Sequence, residues 1–376
     1  MKILEVIYTL GRGGAERFIV DLCNEFSRRG HEVTLLVIGR GLSASPFLPS
    51  LSADVRKISL NCDADGRFNA VWTMLRVQPA VAAVGADVVH CHLFALQLCC
   101  LPMLLNFRKI PFFYTVHNDA FFDAGTYLRF NRMLFKLPWV HPVAISPASA
   151  ESFQRAYSFE PLLIVNGCCP KFPAEGEVSA AEKEINSLRT FPDGVVFINL
   201  ARVTAQKNQL EMAEAARLCV ENGIHLDIFI MGDLCDADIA EKIRALGTPY
   251  VHLVGPRDKP LSYLACADAL LLPSVQEGMP ISLLETCAVA RPACVTPVGG
   301  MKDFVIDGKN GIVSAGTDRM RIAEMLARFC SLPAKAREKM GKRAHGTYKE
   351  HTMERCADSY LLRMQKIFSG ERFDGQ

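Results

Sequence analysis

Residues 2–39 read KILEVIYTLGRGGAERFIVDLCNEFSRRGHEVTLLVIG. A strand-length apolar run is followed by a glycine-rich turn, an amphipathic segment and a second apolar run. In the amphipathic segment Phe18, Leu22 and Phe26 share one helical face, and Gly30 supplies a stop. Strand, helix, strand, with strands of nearly unbroken Val, Ile and Leu, predicts an α/β chain whose parallel sheet is covered on both faces. ADVVHCH (86–92), PFFYTVH (111–117), HPVAIS (141–146) and LLIVNG (162–167) extend the set. A polar stretch, 171–194, then intervenes, partly helical around SAAEKEINSLR. From Val195 the alternation begins again with VVFINLAR (195–202), HLDIFIMG (225–232), VHLVG (251–255), ADALLLPS (267–274) and RPACVTPVG (291–299). Two consecutive open α/β units are expected, residues 1–168 and 169–352. The amphipathic C-terminal segment 353–376 is able to pack back on the first.

Whole-chain properties narrow the function. At 376 residues with half of them apolar, the chain can build two cores. A net charge of +2 gives no electrostatic case for nucleic acid. The N-terminus carries one lysine, and Glu5 interrupts its apolar run, which speaks against an export signal. The longest uncharged stretch, His92–Phe107, is shorter than a membrane span and contains Pro102. Fourteen cysteines without a C-x-x-C pair read as free thiols in a reducing, cytoplasmic compartment. His90 and His92 suggest a metal, but alternation at a strand end accounts for them equally, and no metal is assigned.

Open parallel sheets bind ligands at the carboxyl ends of their strands, and two such sheets place the expected site in the cleft between them. Three stretches lie at such ends. TLGRGGAE (9–16) has Glu16 where a dinucleotide fingerprint has its third glycine, and it serves either as a tight turn or as a ligand loop. SVQEGMPISLLE (274–285) places Glu277 ahead of a helix, Pro280 in its first turn and Glu285 in its second. The amides from Gly278 to Ser282 suit an anion or a hydroxyl-rich ligand, whereas in the plainer reading Glu277 caps the helix and Glu285 is solvated. NLARVTAQKNQ (199–209) ends a core strand with Arg202 and presents Lys207, two cations able to face a diphosphate.

EGMPISLLE is similar to the E-x7-E motif of retaining glycosyltransferases of the GT-B fold, family 4, and LARVTAQKNQ resembles their arginine–lysine diphosphate motif. GRGGAE, DVVHCH, TVHND, AISPAS, IVNG, MGD, ADALLLPS and TPVGGMKDFVIDGKNGIVS resemble further landmarks of that family in the same order, over nearly the whole chain. The resemblance implies two Rossmann-like domains facing a cleft, and a nucleotide-diphosphate sugar as donor, with UDP the first choice. Arg202 and Lys207 would hold the diphosphate and Glu285 the ribose. Glu277, with the amides of Gly278 and Met279, would hold the sugar, and Pro280, Ile281 and Gly232 would line the donor pocket. His252 and Leu253 would border the base through their backbone. Gly13 and Gly14 would lie near the diphosphate or acceptor with Glu16 close by, and His117 would approach the sugar from the N-terminal domain. The implied catalytic set is His117, Glu277, Arg202 and Lys207, with no metal or cofactor. Ala201, Leu234 and Cys168–Cys169 depart from the family pattern without removing a cation or the acidic pair.

The acceptor implied is a lipid-linked or growing cell-surface glycan. NFRKIPFFYTV (106–116) and FFDAGTYLRFNRMLFKLPWV (121–140) interleave basic and apolar residues. They read either as a surface for an anionic bilayer or as a buried helix with a solvated basic rim. Two rival functions stay open, a GT-B nucleotide-sugar epimerase and a non-catalytic nucleotide-sugar binder.

Overall fold

The computed structural model describes residues 1–63, 67–106 and 108–370. Phe107 and residues 371–376, parts of two segments singled out above, lie outside them. The chain divides into one unit of residues 1–168 with 352–376 and a second of residues 169–351.

In the first unit β1 (Lys2–Ile7), α1 (Gly14–Arg28) and β2 (Glu32–Gly39) form the opening strand–helix–strand. There follow β3 (Arg56–Cys62), α2 (Arg67–Val84), β4 (Val88–His92), α3 (Ala95–Leu98) and α4 (Cys100–Leu104). Then come β5 (Phe112–Val116), α5 (Ala120–Ala124), α6 (Leu128–Leu134), β6 (Val140–Ala144), α7 (Pro147–Tyr157) and β7 (Leu162–Leu163). The sheet order is β3-β2-β1-β4-β5-β6-β7, all parallel. Five of the six β1 residues are buried, which explains the unbroken apolar run at the sheet centre.

The second unit holds α8 (Glu175–Leu188), β8 (Val195–Leu200), α9 (Gln209–Glu221), β9 (Leu226–Met231), α10 (Ala237–Ala245), β10 (Val251–Leu253) and α11 (Pro260–Cys266). It continues with β11 (Ala269–Leu272), α12 (Ile281–Ala288), β12 (Ala293–Val295), α13 (Met301–Phe304), β13 (Gly311–Val313), α14 (Arg319–Cys330) and α15 (Ala334–Tyr348). Its parallel sheet runs β10-β9-β8-β11-β12-β13.

The last helix, α16 (Met353–Ser369), packs on α1 in the first unit. Thr352 belongs there too, not with the second unit where the sequence reading left it. It caps α16, its hydroxyl accepting from the Arg355 N–H, and it bridges in parallel with Cys168. Arg29, capping the C-terminal end of α1, ties the helix down through Asp358 and the Glu354 carbonyl.

Three expectations shift. β3 was missed because RKISLNC, at the sheet edge, sets Ile58, Leu60 and Cys62 against the core in alternation with polar residues, instead of the unbroken apolar run of the central strands. PFFYTV, read both as a strand and as part of a basic and apolar surface, is the strand and not the surface: it forms β5, which lies between β4 and β6 with every residue buried. Pro280 caps α12 rather than opening it, because its ψ of 129° is extended. All fourteen cysteines are unpaired, and no helix among the described residues is long and apolar enough to cross a membrane.

Candidate active site

In the second unit the strand order reverses between β8 and β11, and the loops after these neighbouring strands carry Arg202, Lys207 and Glu277. The loops are laced together. The Val275 N–H donates to the Gln206 carbonyl (3.0 Å), and the Gln206 amide donates to the Gln276 carbonyl (2.9 Å). Asn208, with a left-handed φ of 60°, donates to the Pro273 and Thr317 carbonyls at 3.1 and 2.7 Å. Buried Gln209 holds the Arg202 carbonyl at 2.9 Å, and buried Asn199 bonds the Leu271 carbonyl at 2.7 Å across the reversal.

On this frame Lys207 Nζ meets Glu277 Oε1 at 2.5 Å, and Ser274 Oγ donates to the same oxygen at 2.6 Å. The Lys207 side chain is 17% exposed and that of Glu277 7%, so water screens the pair weakly. The Arg202 side chain is different. It is exposed, and among the described residues no hydrogen-bond or ion-pair partner holds its guanidinium. One cation is held in place while its neighbour stays available to a ligand.

The remaining donor-side residues fall around this pair. Gly278 is buried, as are the side chains of Met279 and Ile281, so these residues can offer a ligand only their backbone. Glu285 is half-buried in the second turn of α12. Gly232 follows β9, with no room for a side chain: a Cβ would lie 2.2 Å from the Ala201 carbonyl oxygen. His252 Nε2 meets the Asp227 Oδ1 carboxylate oxygen at 2.8 Å and its ring stacks on Phe229 at 4.4 Å, so the ring is engaged in structure. Leu253 follows it on β10, the edge strand.

Sequence reasoning gave Gly299 no role. At a φ of +53° its Cα sits so close to the Glu277 carbonyl that a Cβ would approach the oxygen to 1.9 Å. The next amide, Gly300 N–H, donates to the Gly278 carbonyl at 2.5 Å. The loop after β12 thus clasps the Glu277–Gly278 backbone. The signal was the double glycine in TPVGG.

In the first unit Gly13 caps α1, Gly14 opens it, and the Glu16 carboxylate folds back over Gly13. An acidic group there complements the helix dipole and favours a hydroxyl over a second anion. His117 stands just beyond β5, its ring half-buried. Its Nε2 meets His92 Nδ1 at 2.9 Å, and His92 Nε2 meets Glu5 Oε2 at 2.7 Å. The other Glu5 oxygen meets His90 Nδ1 at 3.1 Å; His90 Nε2 meets the Thr115 hydroxyl, which meets the Tyr360 hydroxyl. Glu5, His90 and His92 are fully buried.

Burial alone would raise the Glu5 pKa, but His90 and His92 beside it more than offset this and hold it at about 2. Burial and the neighbouring His90 lower His92 to about 4. Burial, with His92 and His90 nearby, pushes His117 well below the ordinary histidine value. The backbone N–H of His117 is taken by Asp123, a carboxyl that burial raises to about 7 and that also accepts from the Tyr114 hydroxyl. Neither Asp123 nor Glu5 was singled out as functional in the sequence. Donor atoms of Glu5, His90 and His92 converge within 4.8 Å, close enough to hold an ion. Yet every ring nitrogen and carboxylate oxygen of the three already has a protein partner. A hydrogen-bonded network accounts for the cluster.

Residues 12–168 match Glycosyltransferase Family 4, and residues 180–347 match Glycosyl transferases group 1. The chain is a family 4 glycosyltransferase of the GT-B fold. A Campylobacter jejuni GalNAc-alpha-(1->4)-GalNAc-alpha-(1->3)-diNAcBac-PP-undecaprenol alpha-1,4-N-acetyl-D-galactosaminyltransferase is 22% identical over 87% of this chain and 88% of its own. An Escherichia coli UDP-Gal:alpha-D-GlcNAc-diphosphoundecaprenol alpha-1,3-galactosyltransferase is 33% identical over 31% of this chain and 32% of its own. Among solved structures, Anabaena Alr3699/HepE in complex with UDP and glucose has a TM-score of 0.79 at 16% identity, covering 97% of this chain and all of that one.

In this glycosyltransferase the sequence-named residues form two groups. Arg202, Lys207, Gly232, Glu277 and its followers, and Glu285 surround the strand reversal of the second unit. His252 and Leu253 lie on its edge strand. Gly13, Gly14, Glu16 and His117 belong to the first unit.

Proposed function

We propose that this glycosyltransferase moves a sugar from a UDP-sugar, with retention at the anomeric carbon, to a hydroxyl of a lipid-linked or growing cell-surface glycan. The observation that carries the reading is the charged frame at the strand reversal: Lys207 fixed by Glu277, with exposed Arg202 beside it. Charge that grows on the leaving diphosphate meets two cations, and stabilisation there is stronger in the transition state than in the ground state. Glu277 keeps its second oxygen for the sugar, and Glu285 takes the ribose. Glu16 serves the acceptor side, and His117, also from the acceptor-side unit, approaches the transferred sugar. The two cations supply the neutralisation that a divalent metal supplies elsewhere, so transfer is expected to survive chelation.

UDP as the nucleotide is supported by the UDP complex of the structural neighbour and by the UDP-Gal of one relative's name. A lipid-linked acceptor is supported by the undecaprenol-linked substrates in two relatives' names. Peripheral membrane docking has an observation of its own. On α2, Phe68, Val71, Trp72 and Leu75 form an exposed apolar stripe, each at least half exposed. Exposed Phe121, Phe122 and Met133 add apolar surface, and Arg129, Arg132 and Lys136 basic surface, on and beside α5 and α6.

The deciding experiment is product analysis with UDP-, GDP- and ADP-sugars and an undecaprenyl-diphosphate glycan, with chelator present. An α-linked product from a UDP-sugar supports the reading. An isomerised free donor would make the chain an epimerase, and donor binding without turnover would make it a binder.

A further inference from the structure

The network that ends at His117 has a direction, and it can be worked out atom by atom. Glu5 is ionised, so both its oxygens only accept. His92 Nε2, at 2.7 Å from one of them, must therefore carry the proton. Burial keeps the His92 ring neutral around pH 7, so its other nitrogen, Nδ1, bears a lone pair. That lone pair can only accept, and the atom facing it at 2.9 Å, His117 Nε2, must carry the hydrogen. A neutral His117 then has its remaining lone pair on Nδ1, for which the described residues supply no hydrogen-bond partner. His90, on the other Glu5 oxygen, enters the derivation by helping to keep Glu5 ionised against burial.

The arrangement is held from several sides. Parallel pairing puts Glu5 beside His90, and alternation on β4 puts His92 on the same face. Helices α1 and α16 cover that face through Phe18 and Tyr360, and the Phe18 ring also meets His117 edge-on at 5.6 Å. The His117 main chain is pinned by Asp123. Burying an ionised carboxylate in a central strand is costly unless its partners satisfy it. A scaffold alone would be served by an apolar residue at position 5.

We propose that Glu5 and His92 are positioning residues that lock His117 in its Nε2–H tautomer, so that His117 meets the substrate as a hydrogen-bond acceptor through Nδ1. This rests on the assignment of His117 to the transferred sugar. The group facing it must then be a donor, a hydroxyl or an N–H of the sugar. A carboxylate at that place would face a lone pair, which makes neutral hexoses and acetamido sugars suitable and uronic acids unsuitable.

The test is a long-range ¹⁵N–¹H correlation of the histidine rings at pH 7, with the His117 signals assigned by their loss in His117→Gln. Nε2 protonated and Nδ1 bare is expected in the unaltered chain. An Nδ1–H form or an even mixture would overturn the proposal without any variant being made. His92→Asn places an amide oxygen near the former Nδ1 and should preserve the tautomer. His92→Phe should release it and lower kcat about 10²-fold, with a smaller change in KM for the donor. Equal kcat in His92→Phe and the unaltered chain would overturn the proposal even if the tautomer were seen. Tyr360→Phe, on the His90 branch, should lower the melting temperature but leave the tautomer in place. UDP-glucuronate should turn over at least tenfold more slowly than UDP-glucose if either is used. A locked tautomer with no transfer from any nucleotide-sugar would support the lock while sinking the glycosyltransfer reading, so the two fail separately.

Discussion

The two units place their functional charges in opposite ways. In the second, Arg202, Lys207 and Glu277 stand on loops beyond the strands, and their ties run between adjacent loops. In the first, His117 is wired to a carboxylate inside the sheet, Glu5, through a second buried histidine. The loop arrangement leaves a cation available to a ligand that brings its own charge. The buried arrangement fixes one proton on one nitrogen, which loops open to water cannot do. Stabilising charge needs reach, and setting a tautomer needs insulation.

The largest expected effect lies on the loop side. Replacing Arg202 and Lys207 together by alanine should lower kcat with a UDP-sugar by on the order of 10³-fold or more, since a single such group is commonly worth 10²–10³. Steady-state rates within tenfold of the unaltered chain would refute the diphosphate assignment.

Acid should act mainly on the buried side. Folded His92 titrates at about 4 against 6.5 for a free histidine, and burial lowers half-buried His141 likewise to about 4. Between those pH values the unfolded chain takes up protons that the folded chain refuses, so stability falls as pH drops from 6.5 to 4. His117, likewise lowered by burial, adds to the loss. Glu5 adds a second stage: its contribution is full above 4.5 and disappears as pH falls towards 2. Urea unfolding should show a loss on the order of several kcal/mol by pH 4. Hydrogen exchange should place the first loosening at β1, β4 and β5; loosening confined to the second unit would contradict this.

Within the loop pair the two cations should part company. Lys207→Ala strands the 7%-exposed Glu277 and should cost about 2–3 kcal/mol of unfolding free energy, below the 3–5 of a fully buried pair. Arg202→Ala, at an exposed side chain, should stay within about 0.5 kcal/mol. Equal midpoints in urea would mean that the ion pair does not organise the loop. Gly299→Ala should cost about 2 kcal/mol, from its positive φ and the overlap with the Glu277 carbonyl. It should also raise KM for the donor, and an unchanged KM would detach this clasp from the donor site.

Much of the architecture was readable from residues 2–39 and their echoes, because helix and strand periodicities are local. The edge strand β3 escaped because Ile58, Leu60 and Cys62 alternate with polar residues instead of forming the unbroken apolar run of the central strands. The loops at the strand reversal were readable because each motif is contiguous: Arg202 and Lys207 are five residues apart, and Glu277 precedes its helix directly. Gly299 was harder to see, since its meaning is contact with a backbone 22 residues away in sequence.

Local pattern by itself determined the strand–helix alternation, the break after residue 168, and the presence of two cations and a carboxylate in the loops beyond strands, with a second carboxylate on the helix that follows. Only tertiary structure decided that Lys207 pairs with Glu277 while Arg202 does not, and that α16 returns to the first unit. It alone decided, too, that Glu5 meets His92 87 positions later. The reason is physical. Periodicity and turn chemistry act over a few residues, whereas hydrogen-bond partners and solvent exclusion depend on which strands lie side by side.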